Sequence, residues 1–131
     1  MHKGSCLCGA VAYEIDGVTG PTIYCHCSRC RKGSGSSFAT VTMAKTSDFR
    51  WTKGEASVKR YTTPAGVHRV FCVECGSPLY SQRDNQADIL RLRAGSLDTP
   101  LDAQPSAHVF TGSKAAWVEI NDGLTQHPER P

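Results

Sequence analysis

Apolar and β-branched residues fall in short runs of alternating character, each closed by Gly, Pro, Asn or Asp, the signature of strands joined by turns. Val11, Tyr13 and Ile15 share one face of a first strand that the stretch from Gly17 to Pro21 ends. A second run at 38–43 follows the loop Gly33-Ser34-Gly35. Further strands are predicted at 57–61, 67–72, 78–82, 89–94, 108–110 and 117–120, separated by turns such as Thr63-Pro64-Ala65-Gly66. About eight short strands imply a mainly β chain folded as a sandwich or folded-over sheet. Helical signals are weak: Thr46-Ser47-Asp48-Phe49 can cap a single turn, and Arg29 to Lys32 can begin one.

A length of 131 residues fits one compact domain over 1–131, so any site must draw on segments distant in sequence. The balance of 39% hydrophobic and 21% charged residues is that of an ordinary globular chain. Met1-His2-Lys3-Gly4-Ser5-Cys6 has no apolar signal core, and no later apolar run approaches the length of a membrane span, which leads to the expectation of a cytoplasmic protein. In that compartment thiols stay reduced, so the seven cysteines read as metal ligands or reactive groups before disulfides. The net charge of +3 changes little, because seven thiolates with two Zn²⁺ would add about −3 by ionic counting. A nucleic-acid partner is not implied.

Cys6 and Cys8 form a CxC pair, and Cys72 and Cys75 form a CxxC pair followed by Gly76. A CxxC turn aims both sulfurs at one point, and a second pair from a distant segment completes the tetrahedron that Zn²⁺ prefers. Buried apolar cysteines or a redox CxxC are the alternatives, but the strand-then-helix context of a redox motif is missing. Such a closed site would contribute on the order of 10 kcal/mol to folding, by comparison with small zinc domains. Cys25, Cys27 and Cys30 remain, in Cys25-His26-Cys27-Ser28-Arg29-Cys30, with no obvious fourth ligand. Structural zinc is closed, whereas catalytic zinc keeps a position open. Three thiolates make a poor Lewis acid for water but a suitable seat for a substrate thiol.

His26, His68 and His108 are candidates for closing that second site or for moving a proton, while His2 and His127 are assigned to tails. Alternation along an extended segment turns His26 away from Cys25 and Cys27, toward a hydrogen-bonding or surface role. Arg29, Arg31 and Lys32 either receive the carboxylates of an anionic thiol or offset the local thiolate charge. Trp117 and Phe110 are expected in the core.

The segments Gly4-Ser5-Cys6-Leu7-Cys8-Gly9, Cys25-His26-Cys27-Ser28-Arg29-Cys30 and Phe71-Cys72-Val73-Glu74-Cys75-Gly76 together resemble the glutathione-dependent formaldehyde-activating enzyme (GFA) family, also called the CENP-V domain family. The later stretch from Ser113 to Leu124 is similar to that family's C-terminal signature. The resemblance implies a β-tent fold of folded-over antiparallel sheets with cysteine knuckles. It implies a structural zinc on Cys6, Cys8, Cys72 and Cys75 and a catalytic zinc on Cys25, Cys27 and Cys30; apart from the resemblance, the three-ligand zinc is expected to be the more labile of the two. It implies a carbon–sulfur lyase that joins glutathione reversibly to formaldehyde, with a thiol and an aldehyde or thiol adduct as partners. The oligomeric state stays open, a homodimer included. The competing reading is a non-enzymatic zinc module for protein or nucleic-acid interaction, which would need a closed second site and an exposed basic or apolar patch.

Overall fold

The computed structural model describes residues 1–131. Its strands are β1 (His2–Ser5), β2 (Ala12–Ile15), β3 (Thr22–Cys25), β4 (Ala39–Lys45), β5 (Phe49–Lys53), β6 (Val58–Thr62), β7 (Val67–Cys72), β8 (Pro78–Arg83), β9 (Ile89–Arg93), β10 (Pro105–Val109) and β11 (Thr125–Gln126). The one α-helix, α1, spans Ser28–Ser34. The strands form a three-stranded sheet, β1-β2-β5, and an eight-stranded sheet ordered β11-β10-β3-β4-β9-β8-β7-β6. Pairing is antiparallel except at β10, which runs parallel to both β3 and β11. The expected mainly β, folded-over arrangement is present, with mixed rather than purely antiparallel pairing.

The period-two pattern works as the sequence suggests. Val11, Tyr13 and Ile15 are 0%, 1% and 0% exposed and face Ala44, Val70, Tyr80, Leu90 and Leu92 of the large sheet. Each such side chain contributes roughly 1.5–3 kcal/mol by leaving water. Aromatic rings fill the layer between the sheets: Tyr13 stacks on Phe49 at 5.1 Å and Trp51 on Tyr80 at 5.9 Å. Cys6 and Cys72 belong to this same core, so the first cysteine cluster is anchored in the larger of the two buried cores.

Some expectations are corrected. Residues 117–120 form no strand, because the sheet edge beside β10 is taken by β11. Trp117 is accordingly 74% exposed instead of packed in the core, its indole N–H donating to Ser37 Oγ at 3.2 Å. Phe110 does pack, against the smaller core around Cys25 and Val109. His2 and His127 are not in loose tails. His2 is 6% exposed on β1, its ring bonded to Thr99 and Asp102, and the His127 N–H donates to the His108 carbonyl. The predicted turn at Thr46–Asp48 exists as one turn of 3-10 helix.

Gly54 holds the exit of β5 at φ +70, and the carbonyl oxygen of Ala10 occupies the place a Cβ would need. The left-handed conformation alone costs a non-glycine residue roughly 1–2 kcal/mol, and the clash is with backbone that cannot swing aside. Gly54→Ala is therefore expected to lower the melting temperature by roughly 5–15 °C. An unchanged melt would mean that the β1–β2 turn moves freely against β5.

Candidate metal centres

The first cluster is built by two turns. After β1 the chain doubles back through Gly9 at φ +79, with the Gly9 N–H donating to the Cys6 carbonyl and the Val11 N–H to Cys6 Sγ at 3.3 Å. At the end of β7 the Gly76 N–H donates to the Cys72 carbonyl, closing the knuckle that turns Cys75 back beside Cys72. The sulfurs of Cys6, Cys8, Cys72 and Cys75 all lie within 4.8 Å of one another. Two separations, 3.6 Å for Cys6–Cys8 and 3.9 Å for Cys8–Cys72, bracket the edge of about 3.8 Å that a tetrahedron of Zn–S bonds near 2.3 Å requires. They are far longer than a disulfide at about 2.05 Å, and all seven cysteines are free thiols. The Ser77 side chain and backbone hydrogen-bond to Cys75 and pull its thiol down to about 6, so that it ionises near neutral pH. The donor set fits a closed zinc site.

The second cluster sits where β3 runs into α1. Cys25 is the last residue of β3, Cys27 is the N-cap of α1 and Cys30 lies in its first turn, and their sulfurs again lie within 4.8 Å of one another. Cys27 Sγ accepts the Cys30 N–H at 3.3 Å, a thiol in the role usually filled by serine or aspartate. Hydrogen bonds from Cys25 and Cys30 hold the Cys27 thiol far below its ordinary value, while the same contacts and burial drive Cys25 up. No His, Cys, Asp or Glu joins these three as a fourth donor. The set fits zinc with one position left for another ligand.

The histidines that were candidates to close the site are engaged elsewhere. His68 on β7 bonds Thr62 on β6 and Asp84 in the turn after β8. His26 is fully buried, and its Nε2 meets His108 Nδ1 at 2.8 Å, while His108 Nε2 meets Asp122 Oδ2 at 2.8 Å. Its hydrogen-bonding role is thus present, and a surface role is excluded. A carboxylate accepts only, so His108 Nε2–H donates to Asp122, His108 Nδ1 accepts from His26 Nε2–H, and His26 Nδ1 is left as an acceptor. That atom is buried without a partner. Asp122 escaped the sequence reading because only folding places it behind His108; its carboxyl is held below the usual range by the bond from His108. His108→Ala would strand His26 Nε2 as well, and should cost about 1–3 kcal/mol, read as a lower melting temperature. A melt within a degree of the parent would reduce the chain of bonds to a packing coincidence.

Of the basic residues singled out by sequence, Arg29 and Lys32 are exposed on α1 and Arg31 is half-buried. Arg31 and Lys32 line a hollow of about 390 Å³ beneath Trp117, and Arg31 Nε is buried without a partner. A larger cleft of about 590 Å³ is lined by Cys6 and Leu7 of the first turn and by Ser34, Phe38, Arg93 and Ala39, the last paired with Cys25. Sequence reasoning missed Arg69, Arg83, Arg91 and Arg93. Their only signal was the spacing Arg91-x-Arg93 within a strand, and their approach to the second cluster is a product of strand order.

Comparison with known proteins agrees with the cysteine pattern. A crystal structure of a protein from Rhodobacter sphaeroides superposes with a TM-score of 0.64 over 95% of this chain and 98% of that one, at 23% identity, a likeness of fold. An uncharacterized lyase of Schizosaccharomyces pombe is 27% identical over 79 residues, which is 60% of this chain and 56% of that protein, so the match spans only about half the length of this curated relative. The family described as glutathione-dependent formaldehyde-activating enzyme matches residues 1–113, a span that includes every cysteine of both clusters. With the fold, the two clusters and that match in agreement, the chain belongs to the glutathione-dependent formaldehyde-activating enzyme family.

Proposed function

We propose that this protein is a zinc-dependent carbon–sulfur lyase acting on glutathione adducts, of the type that joins glutathione reversibly to formaldehyde. The observation that carries the reading is the cluster of Cys25, Cys27 and Cys30, three converging thiols with no fourth protein donor. Zinc bound there would supply one thing, a seat that holds a substrate thiol as its nucleophilic thiolate. In the joining direction a sulfur–carbon bond forms at the aldehyde carbon, the thiol proton leaves sulfur, the carbonyl oxygen gains a proton, and nothing is oxidised or reduced.

The chain's own residues set the conditions for this. The turn into α1 fixes Cys27 and Cys30 one helical turn apart, and the β3–β4 pairing fixes Cys25 beside them. Cys25, Ala39, Val41 and Val109 form a dry floor with Phe110, which keeps bulk water from one side of the sulfurs. The Asp122–His108–His26 chain holds a defined tautomer and leaves one buried acceptor at His26 Nδ1. The closed Cys6, Cys8, Cys72 and Cys75 site is assigned a structural zinc. No helix is long and apolar enough to cross a membrane, and free thiols throughout suit a reducing compartment such as the cytoplasm.

The test is to count zinc per chain with and without glutathione, and to follow exchange between free and hydroxymethylated glutathione by NMR. Two zincs per chain, with exchange accelerated in proportion to protein, is the expected result. One tightly held zinc indifferent to glutathione, with no acceleration, would overturn it in favour of a non-enzymatic zinc module.

A further inference from the structure

The outer face of the large sheet carries cations that the cysteine clusters do not explain. Pairing sets Met43 opposite Arg91, Arg91 opposite Ser81, Ser81 opposite Arg69, Val41 opposite Arg93 and Val67 opposite Arg83. Residues two apart in a strand share a face, so Arg69, Arg83, Arg91 and Arg93 stand on the side that holds Cys25, Val41 and Met43, away from the main core. Arg69 also lies over α1, where a Cβ added to Gly33 would come within 3.1 Å of its Nη1. The row therefore continues directly from the helix that carries Cys30.

These guanidiniums have no counter-ion from the chain. The ion pairs of the molecule involve His2, Arg50, His68 and His108, and none of the four arginines. Arg93 is only 9% exposed, with Nη1 bonded to the Arg91 carbonyl, and Arg91 Nη1 is buried without any partner. Burial first, and then the neighbouring arginines, bring Arg91 down to about 10. Thiolates at the second cluster pull the other way on Arg83, Arg91 and Arg93, but three thiolates around Zn²⁺ amount to about −1 by ionic counting. Four guanidiniums against that leave an excess of about +3, held partly out of water. A buried cation is tolerated when an anion completes it, and the planar fork of arginine matches a carboxylate.

We propose that Arg69, Arg83, Arg91 and Arg93 form the carboxylate-binding site of the substrate, holding both carboxylates of a dicarboxylic thiol while its sulfur reaches the Cys25, Cys27 and Cys30 cluster. This rests on the glutathione reading above for the identity of the thiol, and it moves the substrate's charged ends from Arg29, Arg31 and Lys32 on α1 to the sheet. Of the four, Arg93 lines the cleft of about 590 Å³, which is within the size of small-molecule sites, roughly 300–1,000 Å³. The row sets specificity: a thiol without carboxylates leaves the same guanidiniums uncompensated.

The experiment compares calorimetric binding of glutathione and of its diethyl ester to zinc-loaded protein, for the parent, Arg91→Gln, Arg83→Gln and Arg31→Gln, each checked by thermal melt. The parent is expected to bind glutathione at least tenfold more tightly than the ester. That gap should shrink below about threefold in Arg91→Gln or Arg83→Gln and persist in Arg31→Gln. A gap that persists in both sheet variants, or disappears only in Arg31→Gln, overturns the assignment while the glutathione reading stands. If neither glutathione nor its ester binds, the glutathione reading fails, and glutarate decides on the row alone. A rise in melting temperature with glutarate in the parent but not in Arg91→Gln supports the row, and no rise in the parent overturns it.

Discussion

Cys75→Ser is expected to unfold the protein or to leave it without a cooperative melt. Cys75 is half-buried and follows the turn after β7, so replacing sulfur with oxygen there removes little packing. What it removes is one of four sulfurs that, around the proposed structural zinc, would tie the β1–β2 turn to the end of β7, two points 64 residues apart between Cys8 and Cys72. Structural zinc in small domains contributes about 10–16 kcal/mol, while the net stability of a whole domain is only about 5–15 kcal/mol. Weakening the clamp even by half is therefore comparable with everything that keeps the chain folded. Far-UV circular dichroism through a thermal ramp, with zinc counted on the same sample, checks this. A cooperative melt within a few degrees of the parent would show that the core around Tyr13, Leu90 and Leu92 holds without the clamp.

Cys27→Ser is expected to do the opposite: activity falls by more than about 100-fold with the fold intact. Changes merely behind a metal ligand cost about 10–100-fold in affinity or activity, and this change would remove a ligand of the proposed second zinc. The fold is spared for a local reason. Cys27 is the N-cap of α1, and serine is among the best residues for that place, so its hydroxyl takes over the Cys30 N–H. The cluster it belongs to packs on the smaller core around Val41 and Val109, apart from the layer between the sheets. The expected signature is zinc reduced from two per chain toward one, a melting temperature within about 3 °C of the parent, and glutathione–formaldehyde exchange at the uncatalysed rate. Unfolding equal to that of Cys75→Ser would make both clusters structural and remove the case for an open site.

The two predictions differ because the clusters differ in where folding put them, and only part of that was legible in the chain. The CxC, CxCxxC and CxxC spacings bring each local set of sulfurs together almost regardless of context, since a turn of two to five residues leaves few other arrangements. Alternation at Val11, Tyr13 and Ile15, at Leu90 and Leu92, and at Val70 and Cys72 states which face is buried. Even so, β1, β3 and β5 escaped notice: β1 carries no apolar alternation and becomes a strand only by pairing with β2, while Ile23 and Tyr24 of β3 and Phe49 and Trp51 of β5 fall in runs too short to stand out until β4 and β2 pair with them. Trp117 and the segment 117–120 misled for the reverse reason: an apolar segment needs a free sheet edge, and the polar Thr125–Gln126 occupies the one beside β10.

Legible in the chain alone were the class of fold and the two sets of candidate metal ligands, with their division into four and three, because period and spacing are local properties and thiol chemistry leaves few partners for them. What surrounds the cluster of Cys25, Cys27 and Cys30 came only with the packing of the chain. Asp122 meets His108 across a loop, and His26 meets His108 because β3 and β10 run side by side. Arg69, Arg83, Arg91 and Arg93 come from three strands and share a face with Cys25 only through the order β3-β4-β9-β8-β7. Such neighbours depend on strand order and register, which are set by the packing of the whole chain and leave no mark on any short stretch of it.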